Sequence, residues 1–78
     1  MDEITVEEKA QHYKAMGDSV DLINEMRTNA PEDMTDEEVA DTISRNVEHL
    51  EIMVAKEWWS NEDMTPANNA ISDSASYT

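Results

Sequence analysis

Three short segments of this 78-residue chain recur at a spacing of 30 residues: Asp2-Glu3-Ile4-Thr5, Glu32-Asp33-Met34-Thr35 and Glu62-Asp63-Met64-Thr65. Each sets two acids and one apolar residue ahead of a Thr. A Thr so placed marks a helix start, because its hydroxyl accepts a hydrogen bond from a first-turn N–H that has no partner inside the helix. Glu8 and Glu38 follow the first two Thr residues by three positions, where a carboxylate can reach back to the N–H of the cap itself. Acids in the first turn also complement the positive end of the helix dipole. At the third site Pro66 is expected to take the first helical position, where its missing N–H leaves no bond unmade. Convergent helix-start chemistry and a trace of duplication both account for the repeat, and both place three helix starts.

From those starts the apolar residues extend at helical spacing. Val6, Ala10, Tyr13, Met16, Val20 and Ile23 form one stripe and predict a first helix from about residue 6 to 26, with Gly17 inside it as a kink or a point of close approach. Pro31 ends it, since the residue before a proline avoids helical angles. Val39, Ile43, Val47, Leu50, Val54 and Trp58 predict a second helix over about 36–59, broken at Ser60-Asn61. A short third helix is expected over 66–71, with 72–78 a flexible polar tail. The fold class that follows is all-α: one small domain over 1–71, an antiparallel helical hairpin joined by a short loop, with a third C-terminal helix. Ile52, Met53 and Trp59 fall beside the main stripe of the second helix, an apolar excess that predicts completion by a partner or by oligomerisation.

Composition narrows the function. The chain has 19 acids, 5 bases and no Cys, a net charge of −14. No Cys means no disulfide framework, no thiol nucleophile and no thiolate zinc site. A surface this negative opposes direct binding to nucleic acid or to an anionic membrane. The acidic start has no signal-peptide character, and the longest aliphatic run, residues 52–55, is far short of the ~20 residues that span a bilayer. A soluble protein that is not secreted is expected. Two Leu, five Ile, five Val and no Phe, 12 residues of 78, are few for a core, although six Met and two Trp add apolar bulk.

Catalytic and metal signatures do not emerge. His12 and His49 are the only imidazoles; Glu8 and His12 lie one turn apart, but two ligands make a weak site, and both His read as solvated helix-face residues. The acids of 32–41 lack the alternation and the central Gly of a calcium loop. No concave site is expected to raise a carboxyl pKa, so the reading is no enzyme, no cofactor and no metal. Two surfaces remain as candidates. One is an acidic face on the second helix, Asp36, Glu37, Asp41, Glu48 and Glu51, whose carboxylates could imitate phosphates. The other is a Met/Trp cluster, Met53, Trp58, Trp59 and Met64, with one Trp expected in the core and the other exposed as an anchor.

The stretch 34–71, above all Met53-Val54-Ala55-Lys56-Glu57-Trp58-Trp59 followed by Glu62-Asp63-Met64-Thr65, resembles small uncharacterised proteins of tailed phages that infect marine cyanobacteria. The resemblance covers about half the chain and carries over no functional residue. It implies a small phage product, a virion or assembly component or an effector on a host protein, located in the bacterial cytoplasm or the virion. The function expected is therefore a non-enzymatic helical interaction protein that binds a protein partner, or itself, through the Met/Trp face. The alternative is an acidic nucleic-acid mimic that occupies the basic cleft of a DNA- or RNA-binding protein.

Overall fold

Thr5 and Thr35 cap their helices as the repeat requires. Thr5 Oγ1 accepts from the Glu8 N–H at 3.0 Å while Glu8 Oε1 accepts from the Thr5 N–H at 3.3 Å. Thr35 and Glu38 repeat the exchange at 3.1 and 2.8 Å. The computed structural model describes residues 4–59 and 62–75, so Asp2 and Glu3 of the first repeat, the Ser60-Asn61 break and the tail beyond 75 lie outside the described residues. Three helices follow in chain order: α1 (Val6–Asn29), α2 (Asp36–Val54) and α3 (Thr65–Asp73). The fold is all-α.

The helix ends differ from the periodicity in four places. α1 runs three residues past Met26, supported by Thr28 Oγ1 donating to the Asn24 carbonyl at 2.7 Å and by the Asn29 amide donating to Glu25 at 3.3 Å. It stops at Ala30, which sits before Pro31 with extended angles (φ −61°, ψ 145°). α2 stops at Val54 instead of reaching Trp59: the Met53 carbonyl accepts the Lys56 N–H at 3.1 Å in a tightened last turn and the Trp59 indole N–H at 2.7 Å. α3 begins at Thr65 without a Thr cap. The capping box needs a Glu three residues on, and Asn68 stands there; its N–H bonds the Met64 carbonyl at 2.9 Å and so draws Thr65 into the helix. Asp63 takes over, its carboxylate accepting from the Thr65 N–H at 2.9 Å. α3 also extends through Asp73, and Ser74 is buried with its N–H bonded to Ala70 and Ile71, so the polar tail does not begin at 72.

α1 and α2 lie antiparallel. Ser19 meets His49, and nearer the start of α1 Tyr13 meets Trp59 just beyond the end of α2. At 1.5 Å per residue α1 is about 36 Å long, close to the 41 Å long axis of the molecule. α3 packs against both. The buried cluster draws Met16 and Ile23 from α1, Ile43, Val47, Leu50 and Met53 from α2, and Ala67 and Ala70 from α3.

The predicted stripe of α1 is out of phase at its start. Val6 is 80% exposed and Ala10 is exposed. At 3.6 residues per turn these two point about 80° and 120° away from Met16, whereas Lys9 and His12 fall within about 40° of it. The inner face of α1 is therefore partly polar: Lys9, His12 and Ser19 share it with Met16 and Ile23. The surplus apolar surface of α2 is also largely satisfied within the chain. Met53, 6% exposed, joins the cluster that holds Ala67 and Ala70, and Trp59 packs against it, which leaves Ile52 at 52% as the α2 residue of that group facing water. Among the described residues no helix is long and apolar enough to cross a membrane.

Gly17 neither kinks α1 nor allows a close approach: the helix is continuous, and a Cβ there would meet nothing within 4 Å. Gly in a helix interior is destabilising relative to Ala through the entropy lost on folding. Gly17→Ala is expected to stabilise by about 0.5–1 kcal/mol, a rise of roughly 2–8 °C in the midpoint of thermal unfolding followed by circular dichroism.

Candidate functional site

The Trp pair follows from the early stop of α2. Had the helix continued, adjacent Trp side chains would diverge by about 100°. In the turn after α2 both instead fold back onto α1. Trp58 lies against His12 with ring centroids 5.3 Å apart, Trp59 against Tyr13 at 5.9 Å, and the two indoles meet edge to face at 6.0 Å. These separations are those of favourable aromatic pairs. Both Trp residues are half-buried, so the expected division into one core and one exposed Trp does not hold. Lys56 Nζ sits 5.3 Å from the Trp58 ring centre, a cation–π contact.

Polar contacts tie the same turn to α1. Lys9 Nζ donates to the Trp58 carbonyl at 3.3 Å and pairs with Glu62 at 3.5 Å, and Tyr13 Oη donates to the Asp63 carbonyl at 2.9 Å. Further along, Ser19 Oγ and His49 Nδ1 share a hydrogen bond of 3.0 Å between α1 and α2. The two His are thus half-buried structural groups, one stacked and one hydrogen-bonded, in place of the solvated residues that helix position suggested. Lys9, His12 and Ser19 are the residues that a search for apolar periodicity passes over, whereas Tyr13 lies on the predicted stripe. Their helical spacing with Met16 and Ile23 was the available signal, and it is hidden because all three are polar.

Of the Met/Trp candidates, then, Met53 is in the core, while Trp58, Trp59 and Met64 are half-buried and packed against it. The acidic candidates are different: Asp36, Glu37, Asp41, Glu48 and Glu51 are all exposed. At 3.6 residues per turn Glu37, Asp41 and Glu48 fall within a sector of about 40° on the side of α2 away from Ile43, with Glu51 at its margin. Asp41 is paired with Arg45 at 3.0 Å in an exposed contact worth a few tenths of a kcal/mol. No ion pair among the described residues engages Glu37, Glu48 or Glu51. Nor, among the described residues, does any group of three or more His, Asp or Glu side chains gather in a way that could hold a metal ion.

Comparison with known proteins found no matching family model, no matching curated protein and no matching solved structure.

The start of α3 carries a marked electrostatic feature. The backbone N–H and the hydroxyl of Thr65 hold the Asp63 carboxyl below its ordinary value of 3.8. A carboxyl depressed in the folded state contributes stability above its unfolded pKa and loses it as pH falls through the folded value. Replacing Asp63 by Asn keeps an acceptor and removes the titration. Comparing melting temperatures of the two proteins as pH is lowered through 3.8, the parent is expected to lose stability more steeply than Asp63→Asn; parallel curves would show that the cap has no part in acid sensitivity.

Proposed function

We propose that this chain is a small acidic, non-enzymatic interaction protein that binds the basic surface of a protein partner through the exposed side of α2. The observation that carries the reading is the row of Glu37, Asp41 and Glu48 with Glu51, solvent-facing and largely without basic neighbours. The Met/Trp face supports binding less well, because Met53 is buried and both indoles already have ring partners on α1. The resemblance to cyanobacterial phage proteins supports a phage product that acts in the host cytoplasm or in the virion, as an assembly component or as an effector on a host protein.

Charge density separates the binding of a basic protein surface from imitation of nucleic acid. From Asp36 to Glu51 the five acids span about 22 Å of helix axis, over which duplex DNA carries about 13 charges. The match to a duplex is loose, and phosphate mimicry is the second reading. A patch of Lys and Arg on a protein asks for no such regular spacing. Either partner is drawn by charge, and the attraction is screened once the Debye length falls to a few ångström.

The test is a partner captured from host extract, purified and titrated by calorimetry. Affinity is expected to drop at least about tenfold between 0.05 and 0.5 M salt, and to drop similarly at low salt when Glu37→Gln, Asp41→Asn and Glu48→Gln are combined. A partner whose affinity ignores both changes would remove the acidic face from consideration.

A further inference from the structure

α3 is the least secured element of the fold. It has nine residues, fewer than the ~12–15 that a helix needs to persist alone in water. Met64 at its N-cap offers no side-chain hydrogen bond, so that the Asp63 carboxylate alone meets its first N–H; no acid stands in its first turn and no base in its last. Its buried apolar side chains are Ala67 and Ala70, which remove little area from water beside the Met, Leu and Ile contributed by α1 and α2, with Met64 and Ile71 half-buried at the edge of the cluster. Ser74, at its C-terminal end, is fully buried, and its hydroxyl has no hydrogen-bond partner among the described residues, so docking leaves a desolvated polar group unpaired. The join with α1 is incomplete: a groove of about 100 Å³ opens between Tyr13, Met16, Gly17 and Val20 on one side and Pro66 and Ala67 on the other. Beneath lie Met16, which lines that groove, and Met53, in the same buried cluster as Ala67 and Ala70. Unbranched thioether side chains adapt to more than one neighbour.

We infer that α3 is a displaceable cover, and that the face beneath it, centred on Met16 and Met53, docks an amphipathic helix of a partner protein. The chemistry of that helix follows from what α3 lacks. It carries Leu or Ile where α3 presents Ala67, so that it fills the groove. Its outer face carries Lys and Arg, because it must approach a chain with a net charge of −14. It leaves no counterpart of the unpaired Ser74 hydroxyl. The exchange replaces one helix by another on the same α1–α2 hairpin, and the apparent affinity scales with the fraction of molecules in which α3 has lifted. This second surface is independent of the acidic side of α2.

The full-length protein tests it in two measurements. In native-state hydrogen exchange, the N–H groups of Asn68 and Ser74, bonded within α3, are expected to exchange at least about tenfold faster than those of Ile23 and Leu50. Exchange of α3 at the rate of the whole molecule would overturn the inference. The second measurement uses a synthetic 14-residue peptide of Leu at helical spacing with Lys elsewhere, and a control in which each Leu is Ser. The Leu peptide is expected to bind at 0.5 M salt and the control not to. Ala70→Gly, which loosens α3 through helix propensity without adding charge, should tighten binding roughly fivefold. Ser74→Ala, which relieves the unpaired hydroxyl, should weaken it and slow exchange in α3 alone. Equal binding of the two peptides would show charge attraction only and reject the docking face, as would affinities that neither variant changes. Combining Glu37→Gln with Glu48→Gln leaves the high-salt binding unchanged if this surface acts, so that its failure and that of the acidic face are told apart.

Discussion

The arrangement of the three helices depends on what happens at the Met53 carbonyl. In an uninterrupted helix that oxygen would serve the residue four places on. Here it takes the Lys56 N–H and the Trp59 indole N–H, and the chain turns. Because α2 ends there, both Trp side chains can reach back to His12 and Tyr13 of α1, and Lys9 can hold the turn through the Trp58 carbonyl and Glu62. Because the turn is held against α1, α3 returns to pack against the hairpin, and Met53 shares a buried cluster with Ala67 and Ala70. Two hydrogen bonds to one carbonyl at a helix end thus convert a surplus of apolar surface on α2 into an intramolecular contact.

The same geometry explains how so acidic a chain stays folded. Glu8 and Glu38 each close a capping box, and Asp63 caps α3. Each of these carboxylates satisfies an N–H at a helix start, where negative charge is favourable. The five bases are placed with equal economy: Lys9 at the turn, Lys14 and Arg45 in exposed i,i+4 pairs, Lys56 over Trp58 and Arg27 in the last turn of α1. Of the described acids left without an ion pair, Glu37, Glu48 and Glu51 form a row on the outer side of α2, while Glu7, Asp21, Glu25 and Asp73 are scattered over the other helices. That concentration, and the thin cover given by α3, are the two features of the molecule that its own stability does not explain.

Much of the candidate surface could be read from residue order. The acids of α2 lie outward because its apolar residues, Ile43, Val47 and Leu50, lie inward, and helical periodicity decides both at once. The Met/Trp cluster was legible as a cluster but not as a surface. Its fate turned on where α2 stops, and no Gly or Pro marks that stop; the apolar spacing continues through Val54 and Trp58. The inner face of α1 was legible only in its second half, because Lys9, His12 and Ser19 face inward for partners 30 or more residues away.

By itself the sequence determined that this chain is helical, where its first two helices begin, and that its surface is acidic. These are local properties: a cap acts over three residues, a helical stripe over a few turns, and charge is a sum. Only the tertiary structure decided where α2 ends, that both indoles face α1, that Asp63 and not Thr65 caps α3, and that Met53 is covered. Each of those depends on a contact between groups far apart in the chain, whose hydrogen bonds and ring contacts outweigh the weak local preference for one more helical turn.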